Sequence, residues 1–153
     1  MHITPMRILN FGSRISDFIF RTFGVHMILP LLYVAATAEM GRGVFTSDYI
    51  EKGTVVETSP VIVMTAEERK LLDQTLLHDY IFEWGANNDE CCMAMGYVPI
   101  YNHSYRANCE YEMDFNNGNI NIKTVRFIKA GEELFINYNG DWDNTKPVWF
   151  DTK

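Results

Sequence analysis

Cysteine is scarce in this 153-residue sequence, long apolar runs are missing and basic charge is in deficit. Each shortage removes a class of protein. Three cysteines, Cys91, Cys92 and Cys109, make an odd count with no CxxC pair. Neither a disulfide framework nor a four-cysteine zinc site can be assembled from them, and they read as reduced thiols of a cytoplasmic protein. The apolar run at 27–34 is interrupted by Pro30 and falls short of the roughly 20 residues that span a bilayer. Lys plus Arg number 13 against 20 for Asp plus Glu, a net −7, whereas a general nucleic-acid binder needs cationic side chains for phosphates. GxGxxG and GxxxxGK[ST] are both missing, so no Rossmann or P-loop nucleotide site is supported.

What remains is an ordinary globular composition, 47% hydrophobic and 22% charged, of a length that suits one domain. The charge is uneven: residues 1–40 carry a net +1, leaving −8 from Gly41 onward. That balance tolerates basic peptides and small cationic ligands best. Residues 1–29 form an extension of unclear role. In it Ile8, Phe11, Ile15, Phe18 and Ile19 recur at helical spacing with arginines opposite, the pattern of a short packing helix. The stretch 25–38 imitates a weak secretory leader ending at Ala36-Thr37-Ala38. The same residues serve as a first core strand at 31–36, and secretion is the disfavoured reading.

Further along, strands are expected at 44–46, 54–57 and 61–65, separated by Gly53 and Pro60. Thr65-Ala66-Glu67-Glu68 is a capping box, which predicts a helix with Leu71, Leu72, Thr75 and Leu76 on one side. Strand-like runs at 79–84 and 90–98 flank a turn at 87–89. Those at 109–115 and 120–127 flank the hairpin signal Asn116-Asn117-Gly118-Asn119, and a last strand is expected at 133–138. Many short strands with one helix indicate a mostly β domain whose function lies on its loops.

Three clusters carry chemical potential: Gly41-Arg42-Gly43, Tyr101-Asn102-His103-Ser104 with Asn108, and Gly131-Glu132-Glu133-Leu134 running to Tyr138. Singly, each reads as a tight turn or a hydrogen-bonded loop. His103 has no supporting spacing to Cys92, Cys109 or His78 for a nucleophile pair or a metal site, so no metal is expected.

Taken together, "GRGVF" at 41–45, "YNHSYRANCEY" at 101–111 and "GEELFINY" at 131–138 resemble, in order and spacing, the motifs of the SET-domain protein-lysine methyltransferases. The resemblance covers roughly 31–150. It implies a SET domain over 30–140, built of several small β-sheets with one short helix and a C-terminal pseudoknot, an exception to the rule that chains avoid threading. A C-terminal segment at 141–153, carrying Trp142, Trp149 and Phe150, would fold over the cofactor and complete the site, with plain core packing of those aromatics as the equal alternative. The family binds S-adenosylmethionine on one face and a peptide lysine on the other, joined by a narrow channel. The resemblance then implies that Gly41, Arg42, Gly43, Asn102, His103 and Trp149 bind the cofactor. On the same resemblance Tyr138 would be the catalytic tyrosine, Tyr111 a second hydroxyl near the amine, and Ile136 and Tyr101 would line the substrate channel.

Departures from the family bear on these expectations. Ala107 stands where many members have proline, and Ile136 where an aromatic helps to set how many methyl groups are added, so multiplicity stays open. Zinc cysteines after the domain are missing. The expected partner is a lysine-containing, basic protein or peptide, with a homodimer left open. The alternative from another class is an inactive SET-like module that holds a peptide or partner without catalysis.

Overall fold

Residues 26–148 are described by a computed structural model, and they fold into ten strands, one α-helix and two 3-10 turns arranged as two sheets. The expected helix carrying Ile8, Phe11, Ile15, Phe18 and Ile19 and the aromatics Trp149 and Phe150 lie outside the described residues.

The first sheet is organised by β4 (Val55–Met64). Its first half pairs with β9 (Asn119–Thr124), and its second half with β6 (Glu90–Ala94). β1 (Met27–Ile28), from the segment assigned to the extension, pairs at Glu57 and Thr58. The strands expected separately at 54–57 and 61–65 are therefore one. Pro60 does not break it because the strand changes partner there: the Pro60 carbonyl accepts from Met95 N–H at 2.9 Å, and Val61 N–H donates to the Gly118 carbonyl at 3.0 Å. No ladder bond needs the missing N–H of proline.

The outer strands are β5 (Phe82–Trp84), beside β6, and β8 (Cys109–Asp114), beside β9. Between these two ends of the sheet Phe82 meets Tyr111 edge-on at 5.5 Å, and Trp84 meets Phe115 at 4.6 Å. The sheet therefore curls until its two ends touch through aromatic rings.

The second sheet runs in the order β2 (Leu32–Ala36), β3 (Arg42–Thr46), β10 (Glu133–Ile136), β7 (Asn102–His103). β10 pairs antiparallel with β3 and parallel with β7, so the last strand is held between early and middle segments of the chain. The loop after β7 is laced to it: Ser104 N–H donates to the Ile136 carbonyl at 3.0 Å. Asn108 accepts from Phe135 N–H at 2.7 Å and donates to the Glu133 carbonyl at 2.7 Å.

The capping box forms as the sequence predicts, with Thr65 and Glu68 exchanging side-chain and backbone bonds at the start of α1 (Ala66–Leu72). The expected apolar face does not. α1 stops at Leu72, and Leu71 and Leu76 are 67% and 75% exposed. Polar contacts anchor the helix instead: Arg69 donates to Glu83 at 2.9 Å and to the Asn88 carbonyl. Residues expected to begin a strand at 79 lie in a 3-10 turn, Leu76–Tyr80, capped by Thr75. β6 likewise ends at Ala94, and Val98–Ile100 forms a second 3-10 turn containing Pro99.

The core is aliphatic, with Val44, Val56, Ile120, Ile122, Leu134 and Ile136 fully buried. Glu57 is buried with them. Its Oε1 accepts from Ser59 Oγ and from the Tyr97 and Val98 N–H groups, which fixes the turn leading to Tyr101. Burial pushes its carboxyl above the usual range. All three cysteines are buried free thiols, and burial pushes Cys92 up to about 12 and Cys109 upward too, so neither is a ready nucleophile. No helix among the described residues is long and apolar enough to cross a membrane.

Candidate active site

Two clefts share Tyr138, in the segment after β10, as a lining residue. The larger, about 640 Å³, is lined by Phe82, Tyr101, Tyr111 and Met113 among others. The smaller, about 390 Å³, is lined by Gly41, Arg42, Ile100 and Asn102. Four residues border both: Asp79, Tyr80, Pro99 and Tyr138.

Tyr138 is fixed at both ends. Its N–H donates to His103 Nδ1 at 3.1 Å, and its hydroxyl donates to the Tyr101 carbonyl at 2.9 Å. Burial, with Tyr80 and Asp79 adding repulsion, pushes the phenol up to about 12. It therefore stays protonated near neutral pH and acts as a hydrogen-bond donor rather than a base.

His103 stands behind the tyrosine, with its ring 5.3 Å from that of Tyr138 and edge-on to Tyr105 at 4.6 Å. It borders neither cleft, and burial lowers its pKa from the ordinary histidine value. A lowered folded pKa means that the unfolded chain takes up the proton first. Stability from this group is full above the unfolded value near 6.5 and is lost as pH falls below it. Thermal melts between pH 7.5 and 5 should show a steeper loss for the wild type than for His103→Asn. Parallel losses would contradict this.

Asn102 ties the wall of the smaller cleft together, since its Nδ2 donates to Glu133 Oε1 at 2.7 Å and to the Arg42 carbonyl at 3.0 Å. Gly43, expected at the cofactor, is buried behind that wall. A Cβ there would lie 2.1 Å from Glu133 Oε1 and 3.0 Å from Asn102 Nδ2, so the glycine makes room for this pair. Gly41, with φ of +73°, lies on the cleft itself in a conformation that glycine adopts without strain.

Tyr111 lines the larger cleft, its pKa raised by burial. A Cβ at Gly140 would come within 3.9 Å of its hydroxyl, so the chain after Tyr138 passes close by. Tyr101 is 1% exposed, and burial holds its phenol well above the ordinary value. Its hydroxyl is electrostatically coupled to the Glu57 carboxylate, but the Tyr101 hydroxyl and Glu57 Oε2 lack the geometry of a normal hydrogen bond. Ile136, expected in the channel, is fully buried in the core and borders neither cleft. Trp149 lies outside the described residues, and Trp142 is 42% exposed and lines neither cleft. The segment after Gly140 does reach the larger cleft. Asn137 donates to the Asn144 carbonyl and Asn139 to the Lys146 carbonyl, both at 2.7 Å, and Asn144 and Lys146 stand on the rim.

Asp79, Tyr80 and Pro99 are the residues that the sequence reading missed. All three sit in 3-10 turns: Asp79 and Tyr80 fall within the strand expected at 79–84, and Pro99 falls just past the one expected at 90–98. Local signals existed: Thr75 caps the first turn by accepting from Leu77 N–H at 3.2 Å, and Pro99 opens the second.

Comparisons with known proteins agree with this architecture. The SET-domain family model matches residues 41–139. A Schizosaccharomyces pombe protein named histone-lysine N-methyltransferase, H3 lysine-37 specific, is 34% identical over 128 residues, which is 83% of this chain and 82% of that protein. The crystal structure of a candidate histone methyltransferase from Plasmodium falciparum superposes with a TM-score of 0.60 at 27% identity, covering 75% of this chain and 98% of that one. On the matched motifs, the fold and the paired clefts, the chain belongs to the SET-domain family and is a methyltransferase.

Proposed function

We propose that the protein transfers a methyl group from S-adenosylmethionine to the side-chain amine of a protein lysine. The observation that carries this reading is the meeting of two clefts at Tyr138, bounded by Tyr80, Pro99 and Asp79. A donor and an acceptor held in separate clefts would reach each other only there.

The smaller cleft suits the cofactor. About 390 Å³ falls within the range of small-molecule sites. Its polar lining combines the backbone at Gly41, the Arg42 guanidinium and the Asn102 side chain with the apolar surfaces of Met40, Pro99 and Ile100. When bound, S-adenosylmethionine supplies a methyl group on a positively charged sulfur, a good electrophile. The transfer is an in-line displacement, so the protein's task is mainly positioning.

The larger cleft takes the peptide. The lysine side chain enters beside Tyr111 and passes between Tyr80, Pro99 and Tyr138. A free lysine has a pKa of about 10.4, and transfer out of water into this aromatic passage disfavours its ammonium form. The Tyr138 hydroxyl and the Tyr101 carbonyl to which it donates then fix the direction of the amine lone pair. Tyr111 narrows the far side. The net −8 carried from Gly41 onward favours a basic substrate of histone-tail character, in keeping with the relative's name.

Asn102→Ala removes the side chain that ties the wall of the cofactor cleft together and releases both Glu133 and the Arg42 carbonyl. Calorimetric titration should show cofactor affinity weakened by about tenfold, the cost of a charge-assisted hydrogen bond and its consequences. An unaltered titration would contradict the assignment of that cleft.

A further inference from the structure

Methyl transfer between these clefts brings a sulfonium and a lysine side chain, which arrives as an ammonium, to one point. Two cations at that separation repel each other, and the repulsion grows as water is excluded. We propose that Asp79 is the counter-charge that lets them share the junction, with the cofactor sulfonium as its principal partner. This inference rests on the methyl-transfer reading of the site.

Asp79 lies in the 3-10 turn Leu76–Tyr80 and is the only charged residue among the four that border both clefts. The other carboxylates on the larger cleft are already engaged: Asp73 with His78 at 3.0 Å, and Glu83 with Arg69 at 2.9 Å. Asp79 forms no ion pair with any of the described residues. In the smaller cleft the only other charge is Arg42, which is suited to an anionic group of the same ligand. An ionised carboxylate offers acceptors and no donors, so its complement is a cation. The field of Asp79 reaches the reacting position, for it contributes to holding the Tyr138 hydroxyl protonated.

The test compares two ligands that differ in one methyl group and one positive charge. S-adenosylmethionine and S-adenosylhomocysteine are titrated into the wild type, Asp79→Asn and Asp79→Glu. Asp79→Asn should weaken S-adenosylmethionine by about five- to tenfold, the size of one charge contact partly screened by water, and should change S-adenosylhomocysteine by less than about twofold. Asp79→Glu should recover most of the difference, because charge rather than shape is what the site needs. Equal weakening of both ligands, or no change in either, would overturn the inference while leaving methyl transfer standing. A wild type that binds neither ligand would overturn the inference together with the reading on which it rests.

Discussion

Tyr138→Phe should abolish most methyl transfer, with a loss of about a hundredfold or more, while leaving the fold and cofactor binding nearly intact. The substitution removes the hydroxyl that donates to the Tyr101 carbonyl and nothing else. The backbone bond from residue 138 to His103 and the ring contact with it both survive. The stability lost is that of one hydrogen bond, about 1 kcal/mol. The rate loss is larger because the hydroxyl stands where the two clefts meet, and a small misalignment of a reacting pair is costly. A phenol raised to about 12 remains a donor throughout the usual assay range, so the rate should show no titration assignable to Tyr138. Single-turnover transfer of labelled methyl, beside calorimetric binding, checks both halves. Unchanged turnover would remove Tyr138 from the chemistry, and an equal loss of binding would make it a simple ligand contact.

Substitution of Asn108 should have the largest effect on stability, with Asn108→Ala costing about 2–4 kcal/mol. Asn108 is fully buried and clamps β10 through the Phe135 N–H and the Glu133 carbonyl, each at 2.7 Å. Alanine leaves both backbone groups buried without a partner, and each then bears a desolvation cost. β10 is also the strand that leads into Tyr138, so activity should fall along with stability. Asn108→Asp keeps the acceptor for Phe135 but sets a buried carboxylate oxygen against the Glu133 carbonyl and the Glu132 carboxylate, and should cost at least as much as alanine. Denaturant unfolding measures the series. A cost below about 1 kcal/mol for the alanine variant would show that the clamp is not needed to hold the strand.

Local pattern made much of this legible. The hairpin of β8 and β9 follows from Asn-Gly turn chemistry between two alternating runs, and the helix start follows from one capping box. Pro60 misled because whether a proline interrupts a strand depends on which neighbour needs its N–H, and that is settled by chain segments about 35 and 60 residues away. The apolar side of α1 misled because a seven-residue helix can be held by a single arginine. Ile136 was expected at the channel because the family resemblance places an aromatic at that position. On β10, however, alternate residues share a face, and Leu134 and Ile136 both point into the core. Asp79, Tyr80 and Pro99 carry no motif, and only the folding of two short turns against Tyr138 brings them to the junction.

The most direct test incubates the purified protein and labelled S-adenosylmethionine with core histones, followed by mass spectrometry of the labelled protein. The account predicts label on a lysine side-chain amine, present with the wild type and missing with Tyr138→Phe. Wild-type protein that binds the cofactor yet labels no lysine in the histones or in a whole-cell lysate would contradict it, and would leave a module that holds a peptide without acting on it.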